Sequence, residues 1–257
     1  MSDSGLWVRS CGQSTRGDER NAVRLVCFPH AGASVSCFFP LAKAIPAGIE
    51  VLGVQYPGRQ DRYREPCISS VPLLADHIHR ALAPLMDRPF ALFGHSMGAL
   101  LAYEVATRFE SDGGAAPSWV CVSGRRAPST HRDERVHLRD DAGLVEEMLA
   151  IGGTDRRLID EPELLALLLT AVRSDYRAVE TYPSVSGPPL ACPITAITGR
   201  DDPKVTLAEA REWEAFTTGE FELRVFPGGH FFLDHCRQEV AALIIDTLRE
   251  PLLDPAV

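Results

Sequence analysis

Short apolar runs recur along the chain at residues 6–8, 24–28, 51–55, 90–94, 119–123, 194–198 and 222–226. Most are rich in Val, Ile and Leu with no polar alternate, as strands buried on both faces of a parallel sheet tend to be. Helical patterns stand between them, at 38–44, 71–86, 99–109, 207–216 and 239–249. This alternation predicts an α/β domain whose mostly parallel sheet is covered by helices on both sides. It lapses between about 125 and 193, where a polar, charged stretch precedes two helix candidates, 142–150 and 162–179. A connection that long in a compact domain is often a lid over a binding site, and a helical lid is expected here rather than a plain crossover. With no internal repeat and no low-complexity linker, residues 1–257 read as a single domain.

Composition narrows the function classes. Apolar residues make up 45% of the chain and charged residues 24%, enough for a sizeable core. A formal net charge of −9 argues against nucleic acid as a partner. An acidic protein partner stays open, because a local arginine patch can coexist with an acidic total. Seven cysteines (Cys11, Cys27, Cys37, Cys67, Cys121, Cys192 and Cys236) are scattered without a Cys-x-x-Cys pair, which suits reduced thiols better than a disulfide framework. The first residues do not read as a signal peptide, and no apolar run approaches membrane-spanning length. A soluble, cytoplasmic protein is the expectation.

The chemistry starts at Gly94-His95-Ser96-Met97-Gly98, between an apolar strand-like run and a helical one. Gly-x-Ser-x-Gly at a sharp strand-to-helix turn is the nucleophile elbow of serine hydrolases. Its glycines let backbone pass close to the serine, and the helix N-terminus favours developing negative charge. A serine hydroxyl is a weak nucleophile near neutral pH, so it needs a base and a third group to orient that base. In this architecture the chain order is nucleophile, acid, histidine. Asp202, in Gly199-Arg200-Asp201-Asp202-Pro203, and His230, in Gly228-Gly229-His230-Phe231, fall in that order, each just after a strand. Asp202 is preferred over its neighbour Asp201 because it fits a Gly-x-x-Asp-Pro spacing. An oxyanion hole should take one donor from the Met97 amide and a second from the loop Phe28-Pro29-His30-Ala31-Gly32-Ala33-Ser34, where the Ala31 amide is the choice. His30 is given no catalytic role.

Metal and cofactor chemistry find no support. His77 and His79 point to different faces of a helical pattern, and His230 and His235 lack a third ligand at an obvious spacing. No Gly-x-Gly-x-x-Gly follows a strand, so no dinucleotide site is expected and no cofactor is assigned.

The motifs together resemble the stand-alone type II thioesterases of polyketide and nonribosomal peptide synthesis. The matching pieces are Phe28-Pro29-His30-Ala31-Gly32, Tyr56-Pro57-Gly58-Arg59 with Asp61-Arg62-Tyr63-Arg64-Glu65-Pro66, and the serine elbow. They continue in Arg173-Ser174-Asp175-Tyr176 with Glu180-Thr181-Tyr182, then Gly199 to Pro203, then Gly228-Gly229-His230-Phe231-Phe232. The Tyr-Pro-Gly-Arg block is the most specific, since no general hydrolase chemistry demands it. The resemblance implies an α/β-hydrolase with an inserted lid over an acyl channel. It further implies hydrolysis of stalled or aberrant acyl thioesters on the phosphopantetheine arm of acyl or peptidyl carrier proteins.

Carrier proteins are usually acidic, so Arg59, Arg62, Arg64, Arg125, Arg126, Arg132 and Arg135 are candidates for a basic docking patch. The chain holds no carrier-attachment serine motif, so the encounter would be transient and in trans, with the protein a monomer. The alternatives are a general carboxylesterase or an acyltransferase with the same triad, or a hydrolase-fold binding protein without catalysis.

Overall fold

The chain is described by a computed structural model over residues 4–12, 23–153, 160–183 and 188–253. Its strands are β1 (Val8–Ser10), β2 (Val23–Phe28), β3 (Ile49–Val54), β4 (Phe90–His95), β5 (Trp119–Ser123), β6 (Ile194–Gly199) and β7 (Phe221–Phe226). They form one sheet in the order β1-β3-β2-β4-β5-β6-β7, with β1 antiparallel to β3 and every other pair parallel. The helices are α1 (Ser4–Trp7), α2 (Phe39–Ala42), α3 (Val71–Leu82), α4 (Met97–Ser111), α5 (Asp141–Ile151), α6 (Pro162–Glu180), α7 (Leu207–Arg211) and α8 (Arg237–Leu253).

Strand side chains alternate between two cores because successive residues point to opposite faces. Val26, Phe28, Leu92 and Val120 pack with α3 and α4 on one face. Leu25, Cys27, Phe93 and Cys121 pack with Leu41 of α2 and with Val240, Ile244 and Leu248 of α8 on the other. β4 is buried along its whole length. The expected two-sided parallel sheet is therefore the observed α/β-hydrolase architecture. α5 and α6 lie in the chain between β5 and β6, and with Val136 they build a third, smaller apolar cluster of Leu144, Met148, Leu169 and Val172. All seven cysteines are free thiols.

Two local expectations change. Residues 6–8 read as a strand, yet the chain is helical to Trp7 and extended only from Val8. Trp7 is buried against α3, stacked on His77 with the Arg62 guanidinium over its ring, and a run of three residues carries too little periodicity to reveal that. The pattern at 207–216 holds α-helix only through Arg211 and then tightens into a 3₁₀ turn, Glu212–Phe216, that buries Trp213. β7 is an edge strand with Val225 exposed.

Candidate active site

Register brings the carboxyl ends of the parallel strands together along one edge of the sheet. Phe28 stands opposite Gly94, His95 opposite Ser123, and Gly199 opposite Phe226. Every predicted site residue leaves the sheet from that edge, where open parallel sheets place their sites.

Ser96 occupies φ 55°, ψ −115°, a left-handed conformation that a non-glycine residue holds only under constraint from its surroundings. The constraint is visible. Its amide donates to the Ser123 carbonyl at 2.8 Å. A Cβ on Gly98 would lie 1.9 Å from the Phe28 carbonyl oxygen, and one on Gly94 would lie 2.0 Å from the Gly98 carbonyl oxygen. Only glycine permits the elbow to press against both α4 and the loop after β2.

His230 Nε2 lies 3.1 Å from Ser96 Oγ, and His230 Nδ1 lies 2.9 and 3.1 Å from the two carboxylate oxygens of Asp202. A carboxylate only accepts, so Nδ1 carries the proton and Nε2 is left to accept from the serine hydroxyl. The loops bearing these two residues meet because Gly199 has no side chain: a Cβ there would lie 2.2 Å from the Gly229 carbonyl oxygen. The Asp201 amide donates to the Gly228 carbonyl and holds the loops together. Asp202 is buried and Asp201 exposed, so of the two candidates the structure brings Asp202 to His230.

Two further histidines, His30 and His95, pack close to His230. Burial, then the positive charge His230 can carry, lowers the His30 pKa from 6.5 to about 3. The same causes hold His95 well below its ordinary value, and its Nδ1 lies 2.9 Å from the Ser123 hydroxyl. Both rings therefore stay neutral near pH 7, and His230 has no permanent imidazolium beside it.

The Ala31 amide donates to no acceptor among the described residues. The Met97 amide opens α4, where no preceding helical carbonyl can reach it. Both residues line one cavity of about 470 Å³ with Ser96 and His230. Its far wall comes from the insertion, through Met148 and Ile151 of α5 and Leu168, Val172 and Val179 of α6. Among the described residues no group of three His, Cys, Asp or Glu could hold a metal ion, and no helix is long and apolar enough to cross a membrane.

Three of the seven arginines expected in a docking patch are buried in the structure instead. Arg59 is buried on Asp175, Arg62 on Glu65, and Arg126 on Glu134. Arg132 pairs with Glu209. Arg125 faces the cavity, where burial and then neighbouring Arg126 push its pKa down to about 9. Arg64 and Arg135 are exposed, and Arg135 is paired with Asp133. A guanidinium taken out of water needs a carboxylate, and the sequence does not mark which arginines go inside.

Asp175 and Gln55, to which no local motif gives a role, brace the loop carrying Ala31. Asp175 does leave a trace: it stands three residues after Val172 and three before Ala178, a charge on the buried stripe of α6.

A thioesterase-domain family model matches residues 23–248. A probable cadicidin biosynthesis thioesterase of Streptomyces griseus is 50% identical over 93% of this chain and 66% of its own length. Thioesterase PikA5 of Streptomyces venezuelae is 45% identical over 96% of this chain and 86% of its own. Among solved structures, the type II thioesterase BorB from the borrelidin biosynthetic cluster superposes with a TM-score of 0.86 at 44% identity, covering 95% of this chain and 98% of its own.

Proposed function

The chain belongs to the thioesterase family, and from that premise we propose that it is a type II editing thioesterase using Ser96, His230 and Asp202 as a catalytic triad. Its substrates are stalled or aberrant acyl groups on the phosphopantetheine arm of acyl or peptidyl carrier proteins of a polyketide or nonribosomal peptide synthase. The observation that carries this reading is His230 held by Asp202 on one ring nitrogen and poised over Ser96 Oγ with the other, inside an acyl-sized cavity.

Ser96 Oγ attacks the thioester carbonyl carbon as His230 Nε2 takes its proton, while Asp202 keeps the ring in the productive tautomer and stabilises the imidazolium. The carbonyl oxygen becomes an oxyanion between the Ala31 and Met97 amides. Collapse breaks the carbon–sulfur bond. A thiol has a pKa of roughly 8 to 9, so its departure leans less on the proton returned by His230 than an amine's would. Water then enters, gives its proton to His230 and releases the acid from Ser96.

The insertion of α5 and α6 serves as the lid that closes the acyl cavity, and residues 1–257 act as one catalytic domain. The enzyme works as a cytoplasmic monomer that meets carriers transiently. The test pairs thioesters and oxygen esters of the same acyl groups on carrier proteins: a thioester preference lost in Ser96→Ala supports the reading, and equal oxygen-ester turnover would sink it.

A further inference from the structure

A buried ion pair ties the α6 helix to the loop that carries Ala31. Asp175 is 1% exposed and Arg59 8%. Asp175 Oδ2 accepts from Arg59 Nη1 at 2.6 Å and Oδ1 from Arg59 Nη2 at 3.0 Å, a two-pronged pairing. Oδ2 also accepts the Gly32 backbone amide at 2.8 Å, and Arg59 Nη1 donates to the Ala33 carbonyl at 3.2 Å. The same loop is gripped on either side. Tyr56 donates its hydroxyl to the Pro29 carbonyl, Gln55 Oε1 accepts the Val35 amide, and Gln55 Nε2 donates to the Arg59 carbonyl. Pro29, Gly32, Ala33 and Val35 are all held, and between them the Ala31 amide has no acceptor among the described residues.

Gly32 adopts φ +76°, and a Cβ there would stand 2.5 Å from Val172 Cγ2 on α6. The helix therefore seats the loop twice, by packing and by a charged acceptor one turn further on. Apolar side chains of similar volume could stabilise this contact as well as an ion pair does, because burying two charges costs what their attraction returns. What they could not supply is direction. A carboxylate aimed at one backbone amide fixes the orientation of the peptide plane that follows Ala31.

We propose that Asp175, oriented by Arg59, is a positioning residue for the oxyanion hole: through the Gly32 amide it sets the Ala31 amide in the geometry that receives the developing oxyanion, so an element of the insertion builds part of the catalytic machinery. This rests on Ala31 as an oxyanion donor and Ser96 as nucleophile. A displacement of about 1 Å at a reacting centre can cost on the order of 100-fold in rate, and loss of one donor costs 10² to 10³.

The experiment compares Asp175→Asn and the double variant Arg59→Met/Asp175→Leu with the parent on a propionyl thioester of N-acetylcysteamine. A trifluoromethyl ketone of matching chain length is the second probe. Ser96 Oγ adds to the ketone carbon, its proton passes to His230, and the ketone oxygen becomes an oxyanion in the hole. Expected are a kcat lowered about 100-fold in both variants with KM within about threefold, and a parallel loss of ketone affinity. The double variant should regain the melting temperature that Asp175→Asn loses, because it leaves no unpaired charge, yet stay slow. Recovery of kcat along with stability, or ketone affinity within about twofold of the parent, overturns the proposal. Ser96→Ala separates this from failure of the mechanism: residual hydrolysis there would indict the nucleophile, whatever the Asp175 variants do.

Discussion

The two walls of the cavity are made by different physics. On the sheet side, Ser96, Asp202 and His230 stand at strand ends, and their mutual placement follows from strand register and from backbone approaches that only glycine allows at Gly94, Gly98 and Gly199. On the insertion side, placement depends on side-chain ion pairs and hydrogen bonds, several of them between residues far apart in sequence. Arg59 meets Asp175, Arg126 meets Glu134, and Glu180 accepts the amides of Val136 and His137 at 2.8 and 3.1 Å. A wall set by register is hard to move and suits bond-making. Apart from the point where Arg59 and Asp175 fasten the Ala31 loop, a wall set by a few such contacts can shift as they shift, which suits a surface that admits varied acyl chains.

Removing chemistry from the rigid wall should give the largest effects. Ser96→Ala is expected to lower kcat by about 10⁴- to 10⁶-fold with an unchanged melting temperature, since only one oxygen is lost. Single-turnover kinetics on an acyl-carrier thioester measures it; retention of more than about a tenth of parent activity would remove Ser96 from the mechanism. Asp202→Asn should cost about 10⁴ in kcat by letting His230 take the wrong tautomer. Asp201→Asn, on the exposed neighbour, should stay within about twofold. If the two variants exchange these effects, the triad is misassigned.

The same contrast decides what the sequence reveals. The sheet-borne site is legible because local rules write it: an apolar run, a glycine where backbone must approach, a polar residue just past the strand end. Spacing alone favours Asp202 over Asp201, and it is the Asp202 carboxylate that lies 2.9 Å from His230 Nδ1. The insertion's helices are legible too, since α5 and α6 follow an apolar period and differ from expectation by one residue at most ends. Their fastening is not. Arg59 and Asp175 are 116 residues apart, and nothing local tells a buried arginine from a solvated one. Arg59, Arg62 and Arg126 therefore look like surface docking residues in sequence, though all three are buried. Trp7 escaped for a related reason, because burial against α3 is a tertiary fact that a three-residue run cannot carry.

Altering the adaptable wall should change selectivity more than rate. Ile151→Ala, at the end of α5 where it lines the cavity, enlarges the acyl space without touching the triad. Relative kcat/KM for an acyl chain two carbons longer should rise by about tenfold or less, in line with what a methylene or two is worth in an apolar pocket. A competition assay over an acyl-chain series reads it. An equal fall for every chain length would mean that Ile151 supports the site rather than shapes it.

The smallest effect sits where the two walls meet, at His30. Its ring packs edge-on against His95 and Phe231, and its folded-state pKa is about 3 against an ordinary 6.5. Between those values the unfolded chain binds a proton that the folded chain refuses, so stability falls as pH drops. The contribution is fully present above about pH 6.5 and is lost progressively toward pH 3. His95, lowered in the same direction, adds to the slope. The melting temperature should therefore decline from pH 7 to pH 4.5, and His30→Asn should flatten that decline whatever it does to stability at pH 7. Comparing slopes instead of absolute values separates proton uptake from lost packing. A variant slope as steep as the parent's would mean that His30 takes up its proton equally in the folded and unfolded chains, so that burial does not keep the ring neutral as the pH falls.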